Sequence, residues 1–189
     1  MTTRPASPPA VPHSRYHGRR MTEAEYLALP EVKPYLEFVD GVVLQKAMPN
    51  SDHRKIVEEL TFRLGLYRRG PAGGSAGPEG RVRLRTGRYR LPDTAYWAAG
   101  RPHGDDTLPT LAVEVKSPAE SWDDQRAKCR MFRESGVEVC WLIDPATRAV
   151  EVFEGAQDAV PLPPGGALES AHLPGFSLPL PELFAVLDE

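Results

Sequence analysis

Two apolar segments near the middle of the chain contain charged residues where apolar strands normally have none. Residues 91–97 read LPDTAYW, and residues 111–117 read LAVEVKS. Because side chains alternate along a strand, Glu114 and Lys116 share one face, opposite the aliphatic side chains of their segment. If the two segments are neighbouring strands, about 4.8 Å apart, Asp93 and Glu114 can bind one cation together. A buried charge is costly unless it is paired, so this pattern predicts a divalent metal site.

Two more residues are candidates for the same site. Glu37 lies in an apolar segment that precedes an Asp-Gly turn. Alone it would be a charge on an edge strand, but beside the other acids it is a candidate third carboxylate. His53 lies on the apolar face of a helix predicted over residues 52–68, either as a site residue or as a hydrogen-bonded histidine at the edge of the core. The sequence leaves both alternatives open.

A basic segment, residues 81–90, directly precedes the first acidic strand. Its five arginines, on two strands joined by a Thr-Gly turn, could each contact a DNA phosphate and release a counterion. The alternative is an exposed strand face with salt bridges to the acidic C-terminal half of the chain. We favour phosphate contact because the segment adjoins Asp93. The residues are Arg81, Arg83, Arg85, Arg88 and Arg90.

A helix is predicted directly after the second acidic strand. Ser121 and Asp124 form a capping-box pattern at its start, and a glycine ends it. Asp124, Lys128 and Phe132 follow one another at intervals of four residues on one face, with Gln125 beside them. Lys128 could extend from this helix to the sheet, or it could pair with Asp124 on its own helix.

Composition and charge narrow the class of protein. The chain has 189 residues, 41% hydrophobic and 26% charged, which is typical of one globular domain. No apolar segment approaches the roughly eighteen residues of a membrane span, and no secretion signal is visible, so we expect a cytoplasmic protein. Residues 70–80 are rich in glycine but lack the motifs of a nucleotide-binding loop. Cys129 and Cys140 are expected to be buried thiols.

The order of the predicted elements defines the fold class. Residues 1–20 contain four arginines, no acids and little to bury, so we expect a disordered, basic, proline-rich leader. Residues 21–189 should form one folded domain. Along it we predict a helix, a hairpin, a helix, a basic strand, the two acidic strands, a helix, a second hairpin and a closing helix. This order indicates an α/β fold in which helices flank a mixed central sheet.

Taken in order, these segments resemble the PD-(D/E)XK nuclease superfamily, which has the restriction-endonuclease-like fold. More specifically, the chain is similar to the Uma-two family of restriction endonuclease-like proteins. The resemblance covers nearly the whole chain after the leader. It is carried by the segments MTEAEYLALPE, YLEFVDGVV, SDHRKIVEEL, LPDTAYW, LAVEVKSPAES, DDQRAKCRMF, GVEVCWLIDP and LPGFSLPLPELF.

The resemblance implies a role for each matching residue. Asp93 and Glu114 match two metal ligands, and the backbone carbonyl of Val115 would be a third. Lys116 matches the lysine that positions or activates the attacking water. Glu37 matches an acid that many superfamily members supply from the N-terminal part of the fold.

Asp124 and Lys128 match the D-x-x-x-K motif of the helix after the second acidic strand. Two other features depart from the family pattern. Many family members lack the strand lysine and are thought to use the helix lysine instead, but this chain has both Lys116 and Lys128. Which of the two contacts the water is left open. Phe132 stands where the family usually has a tyrosine, so a hydroxyl is absent there.

Together, the residues and the resemblance lead to the hypothesis of an endonuclease that hydrolyses DNA phosphodiester bonds. Oxygen ligands without a Cys/His cluster favour Mg²⁺ or Mn²⁺ over zinc. Cutting both strands of a duplex needs two active sites, so a two-fold homodimer is expected. Two alternatives stay open: a DNA-binding or regulatory module with this fold but no turnover, and a hydrolase of another phosphate-bearing substrate.

Overall fold

The computed structural model describes residues 14–156 and 158–189 of the chain. Within these ranges there are four helices, α1 (Glu23–Leu27), α2 (Ser51–Arg69), α3 (Trp122–Glu134) and α4 (Leu180–Ala185). None of the helices in this part of the chain is long and apolar enough to cross a membrane.

The same ranges contain twelve strands. In chain order they are β1 (Leu36–Val39), β2 (Val42–Gln45), β3 (Ser75–Pro78), β4 (Val82–Arg85), β5 (Arg88–Arg90), β6 (Thr94–Trp97), β7 (Leu111–Val115), β8 (Val139–Asp144), β9 (Ala149–Glu154), β10 (Val160–Pro161), β11 (Ala167–Leu168) and β12 (Leu178–Pro179).

The central sheet has six strands in the order β10-β9-β8-β7-β6-β3. β7 and β8 are parallel, whereas the other neighbours in this sheet are antiparallel. Parallel neighbours need a crossover connection, and α3 supplies it between β7 and β8. The predicted α/β class, a mixed central sheet flanked by helices, is therefore confirmed.

Two features of the sheets differ from the simple order predicted from the sequence. The hairpins β1–β2 and β4–β5 form a separate four-stranded sheet with the order β2-β1-β5-β4. In addition, β3 lies within the glycine-rich residues 70–80 and pairs with β6 at the edge of the central sheet. Its sequence, SAGP, lacks the alternating apolar side chains by which strands are recognised, and the backbone pairing alone defines it.

Each face of the central sheet is covered by an apolar core. On one face, the apolar residues of α2 and α4 pack against Val113 and its neighbours on alternate positions of β7. On the other face, α3 packs Cys129 and Phe132 against Ala112, and Cys140 lies in the same cluster. Both cysteines are buried free thiols, as predicted. The side chains of β7 that share the face of Ala112 therefore lie beneath α3.

The helix starts follow local sequence signals, with one shift. Thr22 and Glu25 form a reciprocal capping box at α1. α2 begins after Asn50, whose side chain accepts a hydrogen bond from the backbone N–H of His53. The helix therefore begins one residue before its predicted range of 52–68.

Residues 14–20 correct the predicted extent of the leader. They lie along the outer edge of β2, where Arg20 forms a β-bridge with Val42, and Tyr16 packs against the small core beneath α1. Disorder was expected because the segment has little apolar surface to bury. Its backbone groups instead pair with the open edge of β2. Residues 1–13 of the predicted leader lie outside the described residues.

Candidate active site

The two acidic strands are neighbours in the central sheet, as predicted. β6 and β7 are antiparallel, with Thr94 opposite Val113. The N–H of Asp93, directly before β6, donates to the carbonyl of Val113 (2.9 Å), and the N–H of Val115 donates to Asp93 Oδ2 (2.7 Å). Alternation along both strands places the side chains of Asp93 and Glu114 on the face that α3 covers.

Lys128 of α3 joins Glu114 to Glu37. Its Nζ lies 2.8 Å from Glu114 Oε2 and 3.0 Å from Glu37 Oε1. Arg90, at the end of β5, lies 2.6 Å from the other oxygen of Glu37. All of these acids and the lysine are more than nine-tenths buried. Glu37 and Lys128 therefore belong to the same cluster of charges as Glu114.

A second set of contacts surrounds Asp93. Lys46, directly after β2, places Nζ 2.8 Å from Asp93 Oδ1 and donates a hydrogen bond to the carbonyl of Leu91 (2.9 Å). His53, in the first turn of α2, places Nε2 3.3 Å from the same carboxylate oxygen. His53 is therefore buried beside the predicted metal ligand, and its role in the site stays a prediction.

The two candidate lysines have different surroundings. Lys128 contacts Glu114 directly, whereas Nζ of Lys116 lies 3.9 Å from Asp144 Oδ2 on β8. The two side chains are similarly buried, with exposed fractions of 8% and 12%. The two lysines therefore differ in their partners rather than in their burial, and Lys128 is the one that contacts Glu114.

Burial and charge act together on Glu114. Burial raises the pKa of Glu114 to about 8; Lys128 opposes this shift, and the charge of Asp93 reinforces it. The pKa of Lys128 is raised: its burial acts in the opposite direction, but Glu114 and Glu37 prevail. These shifts favour the charged form of Lys128 and oppose ionisation of Glu114, and a cation bound beside Glu114 would favour its ionised form.

The other two carboxylates are ionised in spite of their burial. Burial alone would raise the pKa of Glu37, but Lys128 and Arg90 lower it to about 2. The pKa of Asp93 is also lowered, because Lys46 above all outweighs the cost of its burial. The cluster therefore combines two buried carboxylates whose pKa values are lowered with one, Glu114, whose pKa is raised.

The acceptor oxygens of the cluster fit a hard cation. Asp93 Oδ1, Glu114 Oε1 and Gln125 Oε1 are buried and accept no hydrogen bond from any described residue. Asp93 Oδ1 lies within ion-pair distance of Lys46, but the geometry of that contact is not that of a hydrogen bond. Unpartnered buried acceptors are costly, and such oxygens are the ligands that Mg²⁺ and Mn²⁺ prefer.

The described ranges contain no group of three or more His, Cys, Asp or Glu side chains arranged as a metal site. A cation between the acidic strands would therefore depend on the two carboxylates of Asp93 and Glu114, supplemented by the Val115 carbonyl that the resemblance implies. Two carboxylates and backbone oxygen are sufficient for Mg²⁺, which usually retains several waters.

The remaining predicted residues of α3 have separate roles. Ser121 Oγ accepts from the backbone N–H of Asp124 (3.1 Å) and donates to its carboxylate (2.6 Å). Asp124 is thus an exposed residue of the first turn that pairs with the N-cap Ser121, and among the described contacts it has none with Lys128. Gln125 is buried, and Phe132 belongs to the core beneath α3.

Each of the five arginines of the basic segment has an acidic partner. Arg90 pairs with Glu37 inside the cluster. The other four pair near the surface: Arg81 with Asp105, Arg83 with Glu23 and Asp106, and Arg85 and Arg88 with Asp40. Only two of these partners lie in the C-terminal half, because the four-stranded sheet brings the segment beside β1 and α1. Phosphate contact by these arginines stays a prediction.

Two residues near the cluster were not predicted. Lys46 directly follows a strand, as many surface lysines do, and the residues around it do not indicate that it contacts Asp93. Glu120 accepts a hydrogen bond from the N–H of Ser117 (2.8 Å). Its pKa is raised by burial, and Lys128 and Asp93 are near enough to influence it. Its place in the SPAES segment, directly after the second acidic strand, was the available signal.

The fold and the acidic cluster define a class of restriction-endonuclease-like α/β proteins. A solved structure described as "a putative nuclease belonging to DUF820 from Anabaena variabilis ATCC 29413" is similar to this chain, with a TM-score of 0.78. The two are 23% identical, and the match covers 88% of this chain and 99% of that one, which establishes the fold.

The Uma2 family, described as "Putative restriction endonuclease", matches residues 23–181, and the chain belongs to this family. The resemblance inferred from the sequence segments is thereby confirmed. No curated protein matches the chain.

Proposed function

We propose that this protein is a metal-dependent endonuclease of the PD-(D/E)XK type that hydrolyses DNA phosphodiester bonds. The observation that carries the proposal is the pairing of Asp93 and Glu114 on one face of adjacent strands, each with a buried oxygen that lacks a hydrogen-bond partner among the described residues. Lys128 lies 2.8 Å from Glu114. The description of the family and that of the structural relative point to the same class.

Asp93, Glu114 and the carbonyl of Val115 would hold one Mg²⁺ or Mn²⁺. Bound there, the ion would supply Lewis acidity, polarising a phosphoryl oxygen and lowering the pKa of a water. The N–H of Val115 fixes one oxygen of Asp93, and the other, Oδ1, would bind the ion in place of its ion-pair contact with Lys46. The Glu114 carboxyl, whose pKa burial raises, would ionise as its ligand role requires.

Lys128 is the residue best placed to act on the attacking water. Its ammonium is held between Glu37 and Glu114, so it is charged and restricted in position before substrate binds. From there it would orient the water and offset the negative charge that develops on the phosphoryl group. Arg90 supports this arrangement, since it holds the second oxygen of Glu37. Lys116, which faces Asp144, would have a supporting role.

One assay tests the proposal. Wild-type protein and Glu114→Ala are incubated with supercoiled, linear duplex and single-stranded DNA, with Mg²⁺, Mn²⁺ or a chelator. We expect cleavage by the wild type only when metal is present and little or none by the variant. Cleavage that survives both the chelator and the substitution would reject the proposal. Binding of DNA without any cleavage would favour the non-cleaving module. If the protein hydrolyses another phosphate-bearing substrate and added DNA does not inhibit that hydrolysis, the other substrate would be favoured.

Assembly and location complete the proposal. Cleavage of both strands needs two active sites on one duplex, so we propose a two-fold homodimer acting in the cytoplasm. Light scattering across a dilution series, with and without duplex DNA, measures the assembly. A mass that stays at one chain under both conditions, combined with double-strand cleavage, would contradict the dimer.

A further inference from the structure

A cleft opens beside Asp93, and the chemistry proposed above does not use it. Its volume is about 360 Å³. It lies between the segment before β1, the loop after β2, the first turns of α2 and the end of β3. Asp93 and His53 belong to its lining, so it adjoins the proposed metal site directly. A volume of this size is within the range of small-ligand sites.

The walls of the cleft combine apolar surfaces with cations. Tyr35 and Met48 are among the apolar residues of the lining, and Met48 is 50% exposed. Lys33 lies over the ring of Tyr35, with Nζ 5.2 Å from the ring centroid, and Arg54 is an exposed cation on α2. An aromatic ring and cations in one cleft are groups that can bind a nucleobase together with its phosphates.

The acids of the lining do not reverse this character. Glu58 and Glu79, near the end of β3, lie in the lining, as does Asp93. Asp93 is paired with Lys46, which also lines the cleft. The cations Lys33 and Arg54 thus balance the two remaining acids, and a strand of DNA would meet a mixed surface rather than a repelling one.

His53 supplies an independent sign of a ligand. The residue is only 7% exposed, and it lies in the lining of the cleft. Its Nε2 faces Asp93, whereas its Nδ1 has no hydrogen-bond partner in the part of the chain that the structure describes. A buried ring nitrogen without a hydrogen-bond partner is costly, so a polar group that reached Nδ1 from the adjoining cleft would be favourable.

We infer that this cleft binds one unstacked nucleotide of the DNA substrate, next to the phosphate that is cleaved. The inference rests on the proposed nuclease function and specifies the form of its substrate. Asp93 lines the cleft and is only 2% exposed, so a flexible strand would bring a phosphate to it more easily than the regular surface of an intact duplex. A base reaches Tyr35 from a single strand, or from a duplex after it has been extruded from the stack.

The test measures binding in the Glu114→Gln background, in which cleavage is removed. The probes are a labelled oligothymidylate and an abasic deoxyribose-phosphate strand of the same length and charge. We expect the strand with bases to bind about tenfold more tightly than the abasic strand, which is the effect of stacking one base on an aromatic ring. Tyr35→Ala should abolish this difference and Tyr35→Phe should retain it. Equal affinity of the unsubstituted background for both strands would overturn the inference.

A matched control and two further probes sharpen the result. Phe62 is an aromatic residue of α2 that is 58% exposed and lies outside the cleft, so Phe62→Ala should leave the preference for bases unchanged. A loss equal to that of Tyr35→Ala would also overturn the inference. A perfect duplex and a duplex with one unpaired thymine show whether the nucleotide comes from a duplex or from a single strand. If Tyr35→Ala weakens binding of the duplex with the unpaired thymine, the base is extruded from a duplex. If Tyr35→Ala weakens binding of the single strand alone, the substrate is single-stranded.

This binding test can fail separately from the proposed function. If the wild type cleaves DNA with Mg²⁺ but binds without regard to bases, the cleft inference alone is lost. If binding depends on bases and Tyr35 but no DNA is cleaved under any metal condition, the nuclease proposal is lost and the nucleotide site is retained.

Discussion

Two sets of ion pairs in this protein use the same types of residue but differ in their exposure to water. In the acidic cluster, Lys128 contacts both Glu37 and Glu114, and all three side chains are nearly inaccessible. In the basic segment, Arg85 and Arg88 both pair with Asp40, whose side chain is 52% exposed. Water screens the second set, so its pairs contribute little to stability, whereas burial makes the first set sensitive to any change. The comparison favours the buried set as the place of the proposed chemistry.

The largest effect is expected from the proposed metal ligands. Asp93→Ala or Glu114→Ala should lower the rate of DNA cleavage by at least about a hundredfold, because each removes a key electrostatic contact. Asp40→Ala, which removes an acid from the exposed set, is the matched control and should cleave at nearly the wild-type rate. The measurement is the initial rate of plasmid nicking at saturating Mg²⁺. Near wild-type rates from Asp93→Ala or Glu114→Ala would remove the basis of the comparison.

The next prediction separates the two lysines. Lys128→Met should reduce cleavage by about a hundredfold, because it removes the cation beside Glu114. It should also lower the free energy of unfolding by about 3 kcal/mol, since it leaves buried acids without their partner. Lys116→Met, at a site of similar burial, should have a much smaller effect on the rate. Rates and urea denaturation are measured on both variants; the reverse ranking of the rates would assign the water to Lys116.

A pH experiment compares a buried carboxylate with an exposed one. The pKa of Glu37 is lowered to about 2 from an ordinary value of 4.5, so its ionised form stabilises the fold above pH 4.5. That contribution, about 3 kcal/mol, should be lost as the pH falls from 4.5 towards 2. Glu37→Gln should therefore make the stability less dependent on pH across this interval than in the wild type. Asp40→Asn is the control with a screened carboxylate; an identical acid profile for Glu37→Gln and the wild type would contradict the assignment.

The smallest effect concerns the arginines of the basic segment. If Arg85 and Arg88 contact phosphates, Asp40→Asn should release them and strengthen DNA binding by about two- to threefold. The slope of log affinity against log salt should become steeper by about one. Anisotropy titrations at several salt concentrations measure both quantities. Unchanged affinity and slope would show that the ion pairs serve only to support the strand face.

Local signals explain how much of the structure the sequence could predict. The capping box at Thr22 and the alternation that puts Glu114 opposite its aliphatic neighbours depend on residues close in the chain. The nearness of Asp93 and Glu114 was also accessible, because consecutive strands commonly pair. Both features appear in the structure for these reasons.

Long-range pairing explains what the sequence did not predict. The four-stranded sheet joins two hairpins that are separated by α2 and β3, and this sheet brings Asp40 and Glu23 to the basic segment. Lys46 reaches Asp93 through the same arrangement, across a long separation in the chain. Neither local period nor composition encodes such neighbours. The edge pairing of residues 14–20 was missed for the same reason, since it uses backbone groups that are present in every sequence.

The central claim is that Asp93 and Glu114 bind one divalent ion together. Calorimetric titration with Mn²⁺ should show one strong site per chain in the wild type. Asp93→Ala and Glu114→Ala should each lose this site while they retain a cooperative unfolding transition. Binding of unchanged strength and stoichiometry in both variants, or no binding by the wild type, would contradict the central claim.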